Sequence, residues 1–245
     1  MPSVAGLDAC SSLHETPFVQ VPAEKDGKLL PIIFSPERAR PLKLLCLGAH
    51  SDDIEIGCGG TILRLISEIP NLAVRWVVFS STKVREIEAK ASAEAFLQGV
   101  VDRQIDVGRF RDGYFPFQGT EIKDYFEAIK ADFDPTLILT HCHADAHQDH
   151  RLIAQLTYNT FRDHLILEYE IPKYDGDLGN PVFFVPLTPD QVHRKIEQII
   201  RYFPSQAGRG WFCSETFLAM ARLRGIGCHA SGGLAEAFYT RKIVY

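Results

Sequence analysis

The sequence predicts an α/β fold in which helices cover both faces of a Rossmann-like, mostly parallel sheet. Short apolar runs alternate along the chain with longer segments of helical periodicity, which is the pattern of strand–helix–strand units. Two of these runs, 44–47 and 136–140, pass directly into clusters of polar side chains, as strands do at a ligand-binding sheet edge. The 245 residues are 46% hydrophobic, which is enough to build the core of one domain. We expect an N-terminal arm over 1–28 and a single domain over 29–245.

The element boundaries follow from the apolar runs and from the residues that interrupt them. We predict strands at 28–34, 42–47, 74–80, 105–110, 136–140, 165–171 and 182–185. Pro31 places the first of these at a sheet edge, because proline cannot donate to the ladder. We predict helices over 61–69, 84–99, 120–133, 152–161, 189–202 and 214–224. Pro70 ends the first helix, and Gly99 ends the second.

Charge and composition argue against several classes of function. The formal net charge of −5 and the isoelectric point near 6.0 do not suit a surface for nucleic acid or anionic membrane. No apolar stretch reaches the roughly 20 residues of a membrane-spanning helix, and the first residues lack the pattern of a secretory signal. The six cysteines form no Cys-x-x-Cys pair, so a disulfide framework is not expected. We therefore expect a cytoplasmic protein.

The first polar cluster, 50–53, follows the strand at 42–47. His50 and Asp53 suit one Zn²⁺ ion, which accepts both donor types and in a catalytic site leaves one position to water. Asp52 lies between them and stays available for acid/base chemistry. The alternative for these aspartates is a helix N-cap, which bonds free backbone N–H groups. The glycines at 57–60 lack the spacing of a phosphate loop and indicate close packing of a helix on a strand.

The second polar cluster, 141–150, follows the strand at 136–140 and holds four of the nine histidines. If the two strand ends meet, the two clusters together supply a three-ligand metal site. His147 and His150 are three residues apart, so they lie on one face at a helix start. We interpret His141 and His143 as loop or supporting residues, with a second metal site as the alternative. Cys142 is the alternative soft ligand.

Both clusters resemble the motifs of a known enzyme family. HSDDIEIGCGG at 50–60 resembles the AHPDDE-type motif of the LmbE-like (PIG-L) zinc-dependent N-deacetylases, and HQDH at 147–150 resembles their second motif, H-x-D-H. Segments 85–88, 202–206 and 234–238 add weaker similarity. Ser51 replaces a usual proline and Ile54 a frequent glutamate, and neither side chain is an expected ligand.

The resemblance implies a Zn²⁺ site and a division of roles around it. The implied ligands are His50, Asp53 and His150. Asp52 is then the general base that activates water and later delivers a proton to the leaving amine. His147 faces the substrate and, when protonated, stabilises an oxyanion.

Two further residues take supporting roles by the same resemblance. Asp149 holds an imidazole in one orientation. Arg85 resembles a family arginine that contacts substrate hydroxyls or acidic groups, and its alternative is a solvated helix residue paired with Glu86 or Glu88.

The implied reaction removes an acetyl group from an N-acetylated, amino-sugar-type substrate, such as an N-acetylglucosamine group on a small-molecule carrier. Homo-oligomers are common in the family. One alternative is an amidase acting on a non-sugar amide or a thiol conjugate. The other is a non-catalytic Rossmann-like binding protein.

Overall fold

The computed structural model describes residues 41–244, so the predicted arm (1–28) and edge strand (28–34) lie outside the described residues. In the described part of the chain there are seven strands: β1 Lys43–Gly48, β2 Ala73–Val78, β3 Asp102–Val107, β4 Leu137–His141, β5 Leu165–Tyr169, β6 Phe183–Pro186 and β7 Ala235–Tyr239. The same part contains six α-helices: α1 Asp53–Glu68, α2 Lys83–Phe96, α3 Gly119–Asp132, α4 Gln148–Thr160, α5 Pro189–Tyr202 and α6 Ser214–Gly227. None of the helices within 41–244 has the length and apolar content to cross a bilayer.

The strands form one sheet in the order β3-β2-β1-β4-β5-β7-β6. β1 to β5 are parallel, while β7 runs antiparallel to both β5 and β6. The prediction of a mostly parallel sheet is confirmed. From β1 the chain moves outward to β2 and β3, and from β4 it moves outward the other way, so the order reverses between β1 and β4. A crevice opens at such a switch point, beyond the carboxyl ends of the two strands.

Apolar cores lie on both faces of the sheet, as predicted. Successive side chains of a strand point to opposite faces, and β1 follows this rule. Leu44 and Cys46 join the core beneath α1, α2 and α5, whereas Leu45 and Leu47 join the core beneath α3 and α4. A strand that is buried on both sides reads as a continuous apolar run, and this explains why the sequence located β1 so clearly.

Helix α1 begins at Asp53, eight residues before the predicted start at 61. The predicted helix began only after the glycines at 57–60, and each interior glycine costs a helix about 1 kcal/mol relative to alanine. Packing outweighs that cost. A Cβ on Gly57 would overlap the ring of Tyr169 on β5, and one on Gly59 would crowd Phe96 of α2. The predicted close packing of helix on strand is therefore confirmed, but the glycines that allow it lie inside the helix and not before its start.

Two other elements differ from the prediction. β3 lies at 102–107 instead of 105–110, because this edge strand begins with exposed polar residues that an apolar criterion misses. β7 was not predicted as a strand, although its segment contributes to the family similarity. It is five residues long, and its pairing with β5 and β6 is antiparallel and non-local.

Candidate metal centre and active site

The two polar clusters meet at the switch point of the sheet. β1 and β4 are hydrogen-bonded neighbours, with Leu44 opposite Leu137, so the loops that follow them lie side by side. His50 follows β1 and His150 lies in the first turn of α4, 100 residues further along the chain. Nδ1 of His50 is nevertheless 3.1 Å from Nε2 of His150.

Three donor atoms from these clusters form a small triangle. Oδ2 of Asp53 lies 3.4 Å from Nδ1 of His50 and 3.5 Å from Nε2 of His150, and the third edge is the 3.1 Å between the two imidazoles. All three residues are buried. Ligands about 2.05 Å from a tetrahedral Zn²⁺ ion are separated by roughly 3.3 Å. The donor set and its spacing therefore fit one face of a zinc tetrahedron.

Each imidazole of the triangle is oriented by a carboxylate behind it. Nε2 of His50 lies 3.3 Å from Oδ2 of Asp149, and Nδ1 of His150 lies 2.9 Å from Oδ2 of Asp145. Asp149 also accepts the backbone N–H groups of Gly113 and Phe115, at 2.6 and 3.1 Å. A carboxylate that accepts the distal N–H of an imidazole leaves the other nitrogen with a free lone pair, which is what a metal ligand needs.

His141 lies directly beneath the triangle. Its ring stacks on His150 with 3.9 Å between centroids, and its Nε2 is 3.2 Å from Oδ2 of Asp53. Asp53, His141 and His150 are thus close enough to form a second candidate ligand group. However, the backbone N–H of Ala49 donates to Nε2 of His141 at 2.8 Å. Since a backbone N–H can only donate, the lone pair of that nitrogen is engaged, which favours a supporting role.

His147 lies at the N-cap of α4, beside the triangle. Its ring is 4.9 Å from that of His50, and its Nδ1 accepts the backbone N–H of Asp149 at 3.3 Å. Nδ1 therefore carries the lone pair, and the proton of the neutral ring lies on Nε2. Burial, together with the nearby His50, lowers the pKa of His147. The side chain can thus donate a hydrogen bond in its neutral form, without the extra proton that the family resemblance led us to expect.

Asp52 occupies the N-cap position of α1, but its side chain makes no capping hydrogen bond. A cap of this kind stabilises a helix by about 1 kcal/mol, so its absence argues against the purely structural interpretation. Oδ1 instead accepts from Arg85 at 2.5 Å. Oδ2 is buried and has no hydrogen-bond partner among the described residues. Arg85 points into the site and does not pair with Glu86 or Glu88, which was the alternative for it.

The electrostatics separate the two adjacent aspartates. Burial acts to raise the pKa of both. In Asp53 the surrounding imidazoles of His150, His141 and His50 prevail and hold the pKa well below its usual value. In Asp52 burial prevails over the opposing Arg85, and the pKa is raised. Asp53 is therefore suited to be a permanently ionised ligand, and Asp52 to exchange a proton.

Residues 45–161 match the family model described as PIG-L: GlcNAc-PI de-N-acetylase. This segment belongs to the PIG-L (LmbE-like) family. The match covers both histidine–aspartate clusters and the elements from β1 to α4, and the predicted resemblance is confirmed. No curated protein sequence matches the chain.

Solved structures resemble the whole described fold, not only the PIG-L segment. The conserved protein TT1542 from Thermus thermophilus is 21% identical with a TM-score of 0.64, over 83% of this chain and 97% of its own. N,N′-diacetylchitobiose deacetylase from Pyrococcus horikoshii is 20% identical with a TM-score of 0.61, over 81% and 83%. GalB, the 4-carboxy-2-hydroxymuconate hydratase from Pseudomonas putida, is 17% identical with a TM-score of 0.63, over 83% and 98%. These similarities show the fold, and the reaction has to be argued from the site.

The PIG-L segment brings one unpredicted residue to the site. Oδ1 of Asp112, in the loop after β3, lies 3.1 Å from Nε2 of His50. This aspartate lies in an aromatic-rich stretch at 111–117, and nothing in the sequence singled it out. Conversely, Cys142 and His143 belong to none of the metal-capable groups found among the described residues.

Proposed function

We propose that the protein is a zinc-dependent N-deacetylase that hydrolyses the acetamide of an N-acetylated, amino-sugar-type substrate. The observation that carries this proposal is the metal-sized triangle of His50, Asp53 and His150 beside a buried carboxylate, Asp52, with one oxygen left unpaired. A binding module needs no buried, unpaired base at this position, since leaving a buried carboxylate oxygen without a partner costs about 1–3 kcal/mol or more.

The proposed zinc ligands are Nδ1 of His50, Oδ2 of Asp53 and Nε2 of His150. A Zn²⁺ ion held by them supplies Lewis acidity, which makes water more acidic and polarises an amide carbonyl. Asp149 and Asp145 keep the two imidazoles turned towards the ion. The ring of His141 stacks on that of His150 and helps to fix its plane.

Asp52 is the proposed general base and acid. Its unpaired Oδ2 accepts a proton from the attacking water as the new carbon–oxygen bond forms. The same oxygen then delivers the proton to the amine nitrogen as the carbon–nitrogen bond breaks, so that acetate and a free amine leave. Arg85 fixes the other oxygen, so Oδ2 keeps one direction throughout the cycle.

His147 is the proposed oxyanion donor. Its Nε2–H becomes a hydrogen-bond donor fixed in direction, because the opposite nitrogen is anchored by the backbone of Asp149. A donor that is preorganised where negative charge develops contributes typically about 3–4 kcal/mol to transition-state stabilisation.

The substrate class is supported by the family and by one structural neighbour. The family model is named for a GlcNAc-PI de-N-acetylase, and the neighbour from P. horikoshii deacetylates N,N′-diacetylchitobiose. Arg85 and Asp112 add a cation and an anion at the site that can bind sugar hydroxyls. The predictions of cytoplasmic location and homo-oligomeric assembly stay predictions.

Asp52→Asn tests the mechanism. We expect it to lower turnover by about 10²–10⁴ while zinc, measured by elemental analysis of the purified protein, stays bound at the wild-type ratio. Asp124→Asn, on the exposed surface of α3, is the matched control. Activity of the Asp52 variant at the control level would remove Asp52 from the mechanism, and wild-type protein that takes up no divalent metal would end the proposal.

A panel of substrates tests the specificity. Release of free amine is measured from N-acetylglucosamine, diacetylchitobiose, simple acyl amides and thiol conjugates at equal concentrations. The proposal predicts that the N-acetyl sugars are hydrolysed with the highest kcat/KM. A clear preference for non-sugar amides would favour the amidase alternative.

A further inference from the structure

A lysine far from both sequence motifs contacts the support of the candidate metal ligand His150. Asp145 orients His150 through Oδ2, and its other oxygen, Oδ1, accepts the backbone N–H of His147 at 2.7 Å. Nζ of Lys173 lies 3.1 Å from the same Oδ1. Lys173 follows β5, in a turn at 173–181 that is rich in glycine and aspartate.

The Lys173 side chain is held in this place from two sides. It is only 9% exposed, and the Asp145 side chain is 2% exposed. A second carboxylate, Asp177, accepts Nζ through Oδ1 and Oδ2 at 2.7 and 2.6 Å. Asp177 also accepts the backbone N–H of Ala146 at 2.7 Å. The lysine is therefore clamped between the loop that carries Asp145 and its own turn.

The buried carboxylate of Asp145 needs a cation close by. A buried carboxylate is stable only when it is paired and hydrogen-bonded. The nearby Arg151 donates to the backbone carbonyls of Asp145 and Ala146 and not to the carboxylate. Lys173 supplies the positive charge at the oxygen that faces away from His150, so the other oxygen stays fully available to the imidazole.

We propose that Lys173 is a positioning residue that acts through Asp145 on His150 and thereby sets the metal affinity of the site. Lys173 does not touch the ion or the substrate. It keeps the Asp145 carboxylate in the direction that turns Nε2 of His150 towards Asp53 and His50. The inference rests on the proposed metal site, because it takes His150 to be a ligand. Outer partners of metal-binding histidines typically change metal affinity by about tenfold to a hundredfold.

The test is the dissociation constant for Zn²⁺, measured on purified protein by competition with a chromophoric chelator. Lys173→Met keeps the length of the side chain and removes its charge, and we expect it to weaken zinc binding by about tenfold or more. Lys173→Arg should recover most of the affinity. Lys90→Met, at an exposed ion pair on α2, is the control and should bind zinc like the wild type.

Asp177→Asn distinguishes between two roles of Lys173, one that acts through Asp145 and one that only anchors the turn. If Lys173 acts through Asp145, this variant keeps the cation beside Asp145 and its affinity stays within about threefold of the wild type. If Asp177→Asn weakens zinc binding as much as Lys173→Met does, the lysine only anchors the turn and the proposal is overturned. Wild-type affinity in Lys173→Met also overturns it. Failure of the wild type itself to bind zinc would instead refute the metal site.

Should Lys173→Met fail to fold, Lys173→Gln provides the same comparison. Thermal unfolding of each metal-free variant shows that the fold is intact before affinities are compared.

Discussion

Glu55→Gln should stabilise the metal-free protein at neutral pH, by an amount that grows as the pH rises. Glu55 is fully buried in α1. Its Oε1 accepts Ser92 Oγ at 2.6 Å, and its Oε2 has no partner among the described residues. Burial raises the pKa of Glu55 to about 8, despite the hydrogen bond from Ser92. The folded protein thus keeps a proton on Glu55 up to about pH 8, whereas the unfolded chain releases it near pH 4.3.

The sign and size of the effect follow from proton linkage. Between about pH 4.3 and pH 8 the folded state binds one proton more than the unfolded state, so stability falls as the pH rises. Within this window, each unit of pH lowers the free energy of unfolding by about 1.4 kcal/mol. Holding Glu55 neutral therefore costs the fold about 1 kcal/mol at pH 5 and about 4 kcal/mol at pH 7. Glutamine has a similar shape, carries no charge and keeps an acceptor for Ser92, so it removes this dependence.

Urea unfolding of metal-free wild type and Glu55→Gln at pH 5, 6, 7 and 8 measures the effect. The free energy of unfolding of the variant, relative to the wild type, should rise by about 3 kcal/mol from pH 5 to pH 7. A hydrogen bond that either side chain leaves unmade shifts the stability equally at every pH, so it does not affect this change between pH 5 and pH 7. Glu121→Gln, exposed on α3, should follow the wild type at every pH. Parallel curves for wild type and Glu55→Gln would refute the reasoning.

Three other predictions concern the site and the buried contacts around helix α1. Arg85→Met should move the acid limb of kcat/KM to higher pH, because Asp52 must be ionised to accept a proton and its burial-raised pKa loses the opposing cation; an unmoved limb would contradict this. Gly57→Ala should lower the free energy of unfolding in urea by about 1–3 kcal/mol, because the added methyl group overlaps the ring of Tyr169. Gly119→Ala, which meets no atom within 4 Å, is its control. Glu236→Gln should lower the free energy of unfolding by about 3–5 kcal/mol in the same assay, because it leaves the buried Lys195 without its counter-charge. A decrease below about 1 kcal/mol would show that the Lys195–Glu236 pair is not essential.

The sequence located most of the sheet and the two polar clusters for physical reasons that are local, whereas the choice of His150 as a ligand came from the family resemblance. Strands buried on both faces read as apolar runs, and the polar side chains at the ends of β1 and β4 have few other reasons to follow such runs. The predicted start of α1 was wrong because helix propensity depends only on the local sequence, whereas the aromatic rings that require glycine there come from distant elements. β7 was missed because its pairing is non-local.

The supports of the site could not be read from the sequence for the same reason. The sequence did not connect Asp145 with His150, or Lys173 with Asp145. Their roles depend on a contact between two loops that follow neighbouring strands, and no spacing along the chain records it. The Arg85 pairing was also undecided, because an arginine in the first turn of a helix can turn to solvent or to a neighbouring loop with equal ease.

The 100-residue separation of His50 and His150 has a thermodynamic consequence. An ion held by both residues fastens together the two halves of the sheet that diverge from the switch point, and it closes a long loop of chain. Because the unfolded chain does not hold the donors together, the proposed ion would bind the native state almost exclusively and would add RT ln(1 + [L]/Kd) to its stability. Removal of this ion by a chelator should therefore loosen the pairing of β1 with β4 before it affects the outer strands. Hydrogen exchange would then become faster first at the backbone amides of β1 and β4.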